Sequence, residues 1–397
     1  MSKVFQFFRS QWLEIDANYA LRYYGFFLTC VHFATYLFWK GDTFDLKKIF
    51  DSEPVCWAIY QNCAWARPFL FEYVDVLISF YFFSALAVSL FFLFKKTKLG
   101  YWGLFALTGF KFLIFIHDYR LMGNYHYMPF IATLFYLLVP NKMQFGKLII
   151  VGFYLGAGII KFNTDWLSGM ALVRNPIISG KLLEWSCAYV ILLEICFSFL
   201  LLSRNKIVFW TVFAQFVIFH LFSFHIVGYF YPTIMFCLLT LFVLDKIYLQ
   251  TSLLVNSPPI KSKKIGIFAL VFFAVAQVYP AVFHPDSAVT GEGRILSLNM
   301  LDGRAICENK LILRYKFGSI EESINLNRYG IRVQCDPVIY YYELKSICQK
   351  LKSEESFTDL DFSLYGKRVT DSSWLSEFQV TNFCKQPPKL SWLGKIK

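Results

Sequence analysis

Apolar runs of about 20 residues recur along the first 283 positions, separated by short polar stretches in which lysine is frequent. Wound as a helix, such a run crosses a hydrocarbon core roughly 30 Å thick. Nine segments qualify, at roughly 19–39, 73–94, 99–117, 126–140, 147–163, 187–202, 207–224, 228–244 and 265–283. None alternates with the period of two that a barrel strand requires. Lipid cannot satisfy free backbone groups, so helices are the remaining way across. The pattern predicts a polytopic α-helical membrane protein with about nine transmembrane helices. The first 18 residues are amphipathic and lack the apolar core and small-residue cleavage site of a signal peptide.

Beyond residue 283 the pattern changes. Arg294–Met300 and Leu311–Phe317 alternate like strands, and Tyr340–Leu351 has apolar residues at helical spacing. Residues 284–397 therefore read as a small α+β domain, and residues 1–283 as the helical transmembrane domain. Charge orients the two. Lys95, Lys96 and Lys98 share one loop; Lys142 and Lys147, then Arg204 and Lys206, then Lys246, Lys261, Lys263 and Lys264 follow in every alternate connection. Positive loops stay inside, which predicts a cytoplasmic N-terminus and an extracytoplasmic C-terminal domain, whether periplasmic, on the cell exterior or in the ER lumen.

Composition agrees: 57% of the 397 residues are hydrophobic, 20% aromatic and only 17% charged. The net charge of +12 resides in loops and tail, where topology accounts for it, so no nucleic-acid partner is expected. Six cysteines fall on the predicted outer side: Cys56, Cys63, Cys307, Cys335, Cys348 and Cys384. An even number there reads as disulfides, with the pairing open and a loop-to-tail bond among the options. Cys30, Cys187, Cys196 and Cys237 lie in apolar segments as small hydrophobes. No cysteine metal spacing, phosphate-binding glycine loop or nucleophile elbow occurs, and no metal site is expected.

The polar residues inside the apolar part are the informative ones. Tyr154–Gly169 runs from a helix carrying Gly156 and Gly158 into Lys161, then through Asn163 and Asp165 to Trp166. Glycines two apart admit a close helix neighbour. His117, Asn124, His126, Lys161, Asp165, Trp166, His220 and His225 all fall near the outer ends of predicted spans, where one pocket would collect them. Glu194 and Lys111 lie deeper, and a charge at that depth marks either function or a structural partner on another helix. Desolvation favours the neutral form of a lysine, so Lys161 suits the role of a base for an acidic, lipid-soluble aromatic substrate such as a hydroquinone.

The run Ala157-Gly158-Ile-Ile-Lys161-Phe-Asn163-Thr-Asp165-Trp166 resembles the A-G-x-x-K-x-[ND]-x-D-W signature of vitamin K-dependent γ-carboxylases and the related bacterial HTTM proteins. Ile15-Asp16 with Leu21-Arg22, Arg67-Pro68, Asn124-Tyr-His126, Glu194, Phe219-His220-Leu and Gly228-Tyr-Phe-Tyr-Pro232 resemble further family segments in the same order. The resemblance implies a membrane enzyme of the carbon–carbon lyase class. In it Lys161 deprotonates reduced vitamin K or menaquinol, O2 adds, and the quinone leaves as its epoxide. His126 assists where CO2 carboxylates a glutamate of an exported protein. Two features depart from the vertebrate enzymes: Ile160 stands where they carry a second lysine, and the tail is shorter. A transporter and a non-catalytic scaffold presenting the C-terminal domain are the competing readings; both would leave Lys161 without a catalytic task.

Overall fold

The computed structural model describes residues 3–41, 45–172, 174–248, 260–283, 297–298, 305–326, 334–391 and 396. The stretch 294–300, expected as a strand, lies outside the described residues apart from Ser297 and Leu298. Nine helices overlie the nine apolar segments: α2 (Tyr19–Trp39), α4 (Arg67–Leu93), α5 (Thr97–Ile116), α6 (Asn124–Leu138), α7 (Lys142–Ile159), α9 (Lys181–Ile195), α10 (Lys206–Val227), α11 (Phe230–Ile247) and α12 (Ile260–Phe283). The amphipathic α1 (Lys3–Asp16) and the short α3 (Leu46–Asp51) and α8 (Thr164–Leu167) complete this part.

Among the described residues, five helical stretches are long and apolar enough to cross a membrane: Cys63–Leu93, Thr97–Ile116, Lys206–Val227, Phe230–Ile247 and Lys263–Pro280. The others are shorter or more polar. Helices α6 and α9 have 15 residues each, α9 continuing as a 3-10 turn over Phe197–Leu202. Helix α2 buries Arg22, Thr29, His32 and Thr35. It packs against α4 and α11, while α7 packs against α6, α9, α11 and α12. The basic connections gather at one end of the bundle, where Lys147 pairs with Asp245 at 2.7 Å and Lys246 donates to the Ser203 carbonyl at 2.6 Å.

The C-terminal unit is a four-stranded antiparallel sheet, β1 (Ala305–Tyr315), β2 (Gly318–Glu322), β3 (Phe357–Arg368) and β4 (Leu375–Val380), in the order β2-β1-β3-β4. Alternation places Leu311 and Leu313 opposite Phe362 and Leu360 on a buried face. Helix α13 (Pro337–Leu351) covers that face with Ile339, Tyr340 and Leu344; it is capped by Asp336 and opened by Pro337, a residue suited to a first turn. Val55, Cys56, Trp57 and Tyr119, from loops of the bundle, complete the same core. Polar contacts reinforce the joint: Tyr119 donates to Asp336 at 3.0 Å, Gln61 to the Leu390 carbonyl at 2.9 Å, and Lys350 pairs with Glu53 at 3.1 Å. All six expected cysteines are bonded, as Cys56–Cys63, Cys307–Cys335 and Cys348–Cys384. None of the bonds ties loop to tail; that joint is built from packing and hydrogen bonds. Cys30, Cys187, Cys196 and Cys237 are free thiols.

Candidate functional site

Helix α7 ends at Ile159, and Asn163 shapes the turn that leads from it into α8. The Asn163 amide donates to the Ile160 carbonyl at 3.0 Å, and its oxygen caps α8 by accepting from the Trp166 N–H at 2.9 Å. This turn directs Lys161 back into the bundle, where it is 1% exposed. Its Nζ meets Glu194 Oε2 at 2.5 Å, and Glu194 is fully enclosed. Gly158 makes this meeting possible. A Cβ there would lie 2.6 Å from Ile195 Cγ1 and 3.1 Å from Glu194 Cβ, so only glycine lets α9 approach so closely. The close helix neighbour expected from the paired glycines is met at Gly158, where it is the helix that carries the carboxylate; Gly156 faces Leu298 and Gln277 instead.

Lys161 also faces Trp166, whose ring centre is 4.9 Å from Nζ and whose indole N–H donates to the Cys187 carbonyl at 3.0 Å. These residues close one end of a cavity of about 380 Å³ between α7, α9, α10 and the start of α6. Asn124, Lys161 and Trp166 form its polar end, and the rest of the wall is mainly apolar. Two of its lining residues, Ile218 on α10 and Tyr189 on α9, are 65% and 42% exposed, so the cavity opens on the apolar flank of the bundle. Their helices are joined there by a hydrogen bond from Tyr189 to Gln215.

The expected pocket residues separate into two groups. Asn124, Lys161 and Trp166 line the cavity, with Glu194 directly behind Lys161. His220 stands one layer back, hydrogen-bonded to Tyr154 at 2.7 Å, with its ring 6.0 Å from that of Tyr231 in the cavity wall. His126 is 2% exposed and lies among the rings of Phe38, Trp39, Phe115, Tyr125 and Phe230; neither of its nitrogens has a hydrogen-bond partner among the described residues. The remaining three are elsewhere. Asp165 accepts from the Thr370 N–H at 3.0 Å and from its hydroxyl, tying the turn to the segment between β3 and β4. His117 bonds the Leu113 carbonyl at 2.6 Å beside Tyr60 and Trp65, and His225 is exposed and bonds the Asn175 carbonyl at 3.1 Å. Their positions near helix ends brought them to the same level of the bundle but not to the same cavity.

Two buried networks were not evident from the sequence. Asp118, fully enclosed, receives Arg67 at 2.6 Å and both Nε and Nη2 of Arg120, at 2.8 and 2.7 Å. Both arginines also bind the Ile49 carbonyl, and together they fix the turn that delivers Asn124. Lys111 donates to Thr35 at 3.0 Å, near a Tyr81–His32 pair at 2.6 Å, and so serves as an interhelical tie. No metal-holding cluster of His, Cys, Asp or Glu occurs among the described residues.

Burying a lysine and a glutamate separately would cost several kcal/mol each, and their contact offsets this only with good geometry. The pair shares one proton in two arrangements of equal total charge: ammonium with carboxylate, or amine with carboxylic acid. Glu194 Oε1 is enclosed without a partner among the described residues, leaving one further acceptor beside it. No family model, curated protein or solved structure matches the chain. Fold and site alone define its class: a helical membrane protein with a lysine–glutamate pair at the polar end of an apolar cavity.

Proposed function

We propose that this is an integral-membrane enzyme that deprotonates a lipid-soluble hydroquinone, reduced vitamin K or menaquinol, at the Lys161–Glu194 pair. The anion reacts with O2; one oxygen atom is retained as the quinone epoxide and the other leaves as water. The observation that carries this reading is a lysine 1% exposed, bonded to a fully enclosed glutamate, at the inner end of a cavity that opens on an apolar flank. A flat ring with an apolar tail suits that shape. Exclusion of water protects a strongly basic intermediate from quenching. The resemblance of residues 157–169 to the carboxylase signature supports the same chemistry.

In the finer reading, the intermediate takes the γ-proton of a glutamate in an exported protein and CO2 replaces it, with His126 as the second acid–base group. The buried aromatic box around His126, adjacent in α6 to the lining residues Asn124 and Tyr125, favours that role. In the same reading all nine apolar helices cross the bilayer, with residues 1–283 as one domain and 284–397 as an extracytoplasmic one. The basic connections at one end and three disulfides at the other support this polarity.

The test is purified protein supplied with menaquinol or reduced vitamin K and oxygen. Epoxide should form with the wild-type protein and be lost with Lys161→Ala. Equal epoxide from both would remove the proposal.

A further inference from the structure

At the opposite end of the bundle from the cavity, Arg22 stands one turn into α2 and is only 4% exposed. No hydrogen bond or ion pair from its side chain exists among the described residues, and its Nε is enclosed without an acceptor. The guanidinium lies over two rings, with its carbon 4.6 Å from the centre of Tyr19 and 5.6 Å from that of Tyr23. Tyr248, at the end of α11, stacks on both, at 6.3 Å and 24° to Tyr19 and at 5.8 Å and 18° to Tyr23. Lys95, in the turn between α4 and α5, places its Nζ 5.9 Å from the Tyr19 ring.

This arrangement satisfies only part of the arginine. Aromatic rings attract a cation through their faces. The N–H donors of a guanidinium point outward in its own plane, where two can grip one oxyanion side by side. Tyrosines thus hold the plane while the edge lacks an acceptor. The position is telling. Helices α4, α5 and α11 are each long and apolar enough to cross a membrane, and the cluster sits where α4 and α11 end and α5 begins. It is therefore at headgroup depth, beside an exposed lysine.

We infer that Arg22, with Lys95, is a phosphate-binding site, and that the phosphate belongs to an anionic phospholipid of the adjoining leaflet. Bilayer lipid supplies such a group at this depth, and the two positive charges favour a headgroup without its own cation. The same donors would accept inorganic phosphate, so the experiment separates the sources.

Delipidated full-length protein in dodecylmaltoside is titrated with phosphatidylglycerol, phosphatidylcholine or inorganic phosphate. Binding is read by native mass spectrometry and by thermal shift. Phosphatidylglycerol should bind wild type more tightly than phosphatidylcholine. Arg22→Gln should weaken it at least about tenfold, the scale of one charge-assisted hydrogen bond. Lys95→Gln, an exposed change that leaves the fold intact, should weaken it a few-fold. Displacement of phosphatidylglycerol by inorganic phosphate would make free phosphate a sufficient ligand; failure to displace it would assign the site to the headgroup. Equal affinity for both lipids, or affinity unchanged in Lys95→Gln and in whichever Arg22 variant folds, overturns the inference.

Discussion

Gly158→Ala tests whether helix proximity sets the Lys161–Glu194 pair and, with it, the proposed activity. The added Cβ would lie 2.6 Å from Ile195 Cγ1 and 3.1 Å from Glu194 Cβ, both close to the α9 backbone and unable to swing clear. Restoring ordinary contact requires α9 to retreat by about 1 Å. The Lys161–Glu194 separation, now 2.5 Å, would then stretch to about 3.5 Å, where a hydrogen bond is lost. Overpacking of this kind costs about 1–3 kcal/mol, partly offset by the better helix propensity of alanine, worth up to about 1 kcal/mol. Thermal stability should therefore fall modestly. Catalysis should fall far more, about a hundredfold, because a displacement of this size at a reacting group carries that penalty. The control is Gly109→Ala on α5, where a Cβ meets nothing within 4 Å, so epoxide formation should be unchanged. If Gly158→Ala forms epoxide at the wild-type rate, close approach of α9 is not what arms Lys161.

Thr370→Val removes the hydroxyl donated to Asp165 and should cost about 1 kcal/mol; faster hydrogen exchange over residues 163–169 and a several-fold slower turnover would register it. Arg67→Gln withdraws one of two cations from enclosed Asp118 and should destabilise by roughly 3 kcal/mol in thermal unfolding, with Arg67→Lys giving little rescue because a point charge cannot replace the planar fork. Reduction should loosen the C-terminal sheet while sparing the helices. Cys307–Cys335 and Cys348–Cys384 span 28 and 36 residues and are each worth about 3.5–4 kcal/mol by loop entropy, whereas Cys56–Cys63 spans 7 and is worth about 2. Hydrogen exchange with and without reductant resolves the two regions.

Hydrophobic runs alone located the nine long apolar helices, because burial in lipid or core demands the same continuous apolar surface, whereas the short α3 and α8 left no such run. Helix ends and the sense of each turn were less legible: α4 begins at Arg67, six residues before its apolar run, since Pro68 opens it and Arg67 is spoken for by Asp118. Within the candidate site, Lys161 and Glu194 stood out because a charge among apolar neighbours is conspicuous. That Asp165 holds Thr370 was not legible, because the two are 205 residues apart and nothing local to either announces the pairing. Disulfide pairing was hidden for the same reason. Arg22 was noted only for its resemblance to other sequences; that it has no counter-ion among the described residues is a property of three helices meeting.

The cystine pattern also sets an order of events during synthesis. Cys56 and Cys63, only seven residues apart, can join once their own loop is made, long before the ribosome reaches the sheet. Val55 and Trp57, pinned by that clasp, would be waiting as a preformed seat when α13 and its strands emerge. The last segment then docks by surface recognition onto a finished base, so a misfolded cap would detach without dragging the membrane portion down with it.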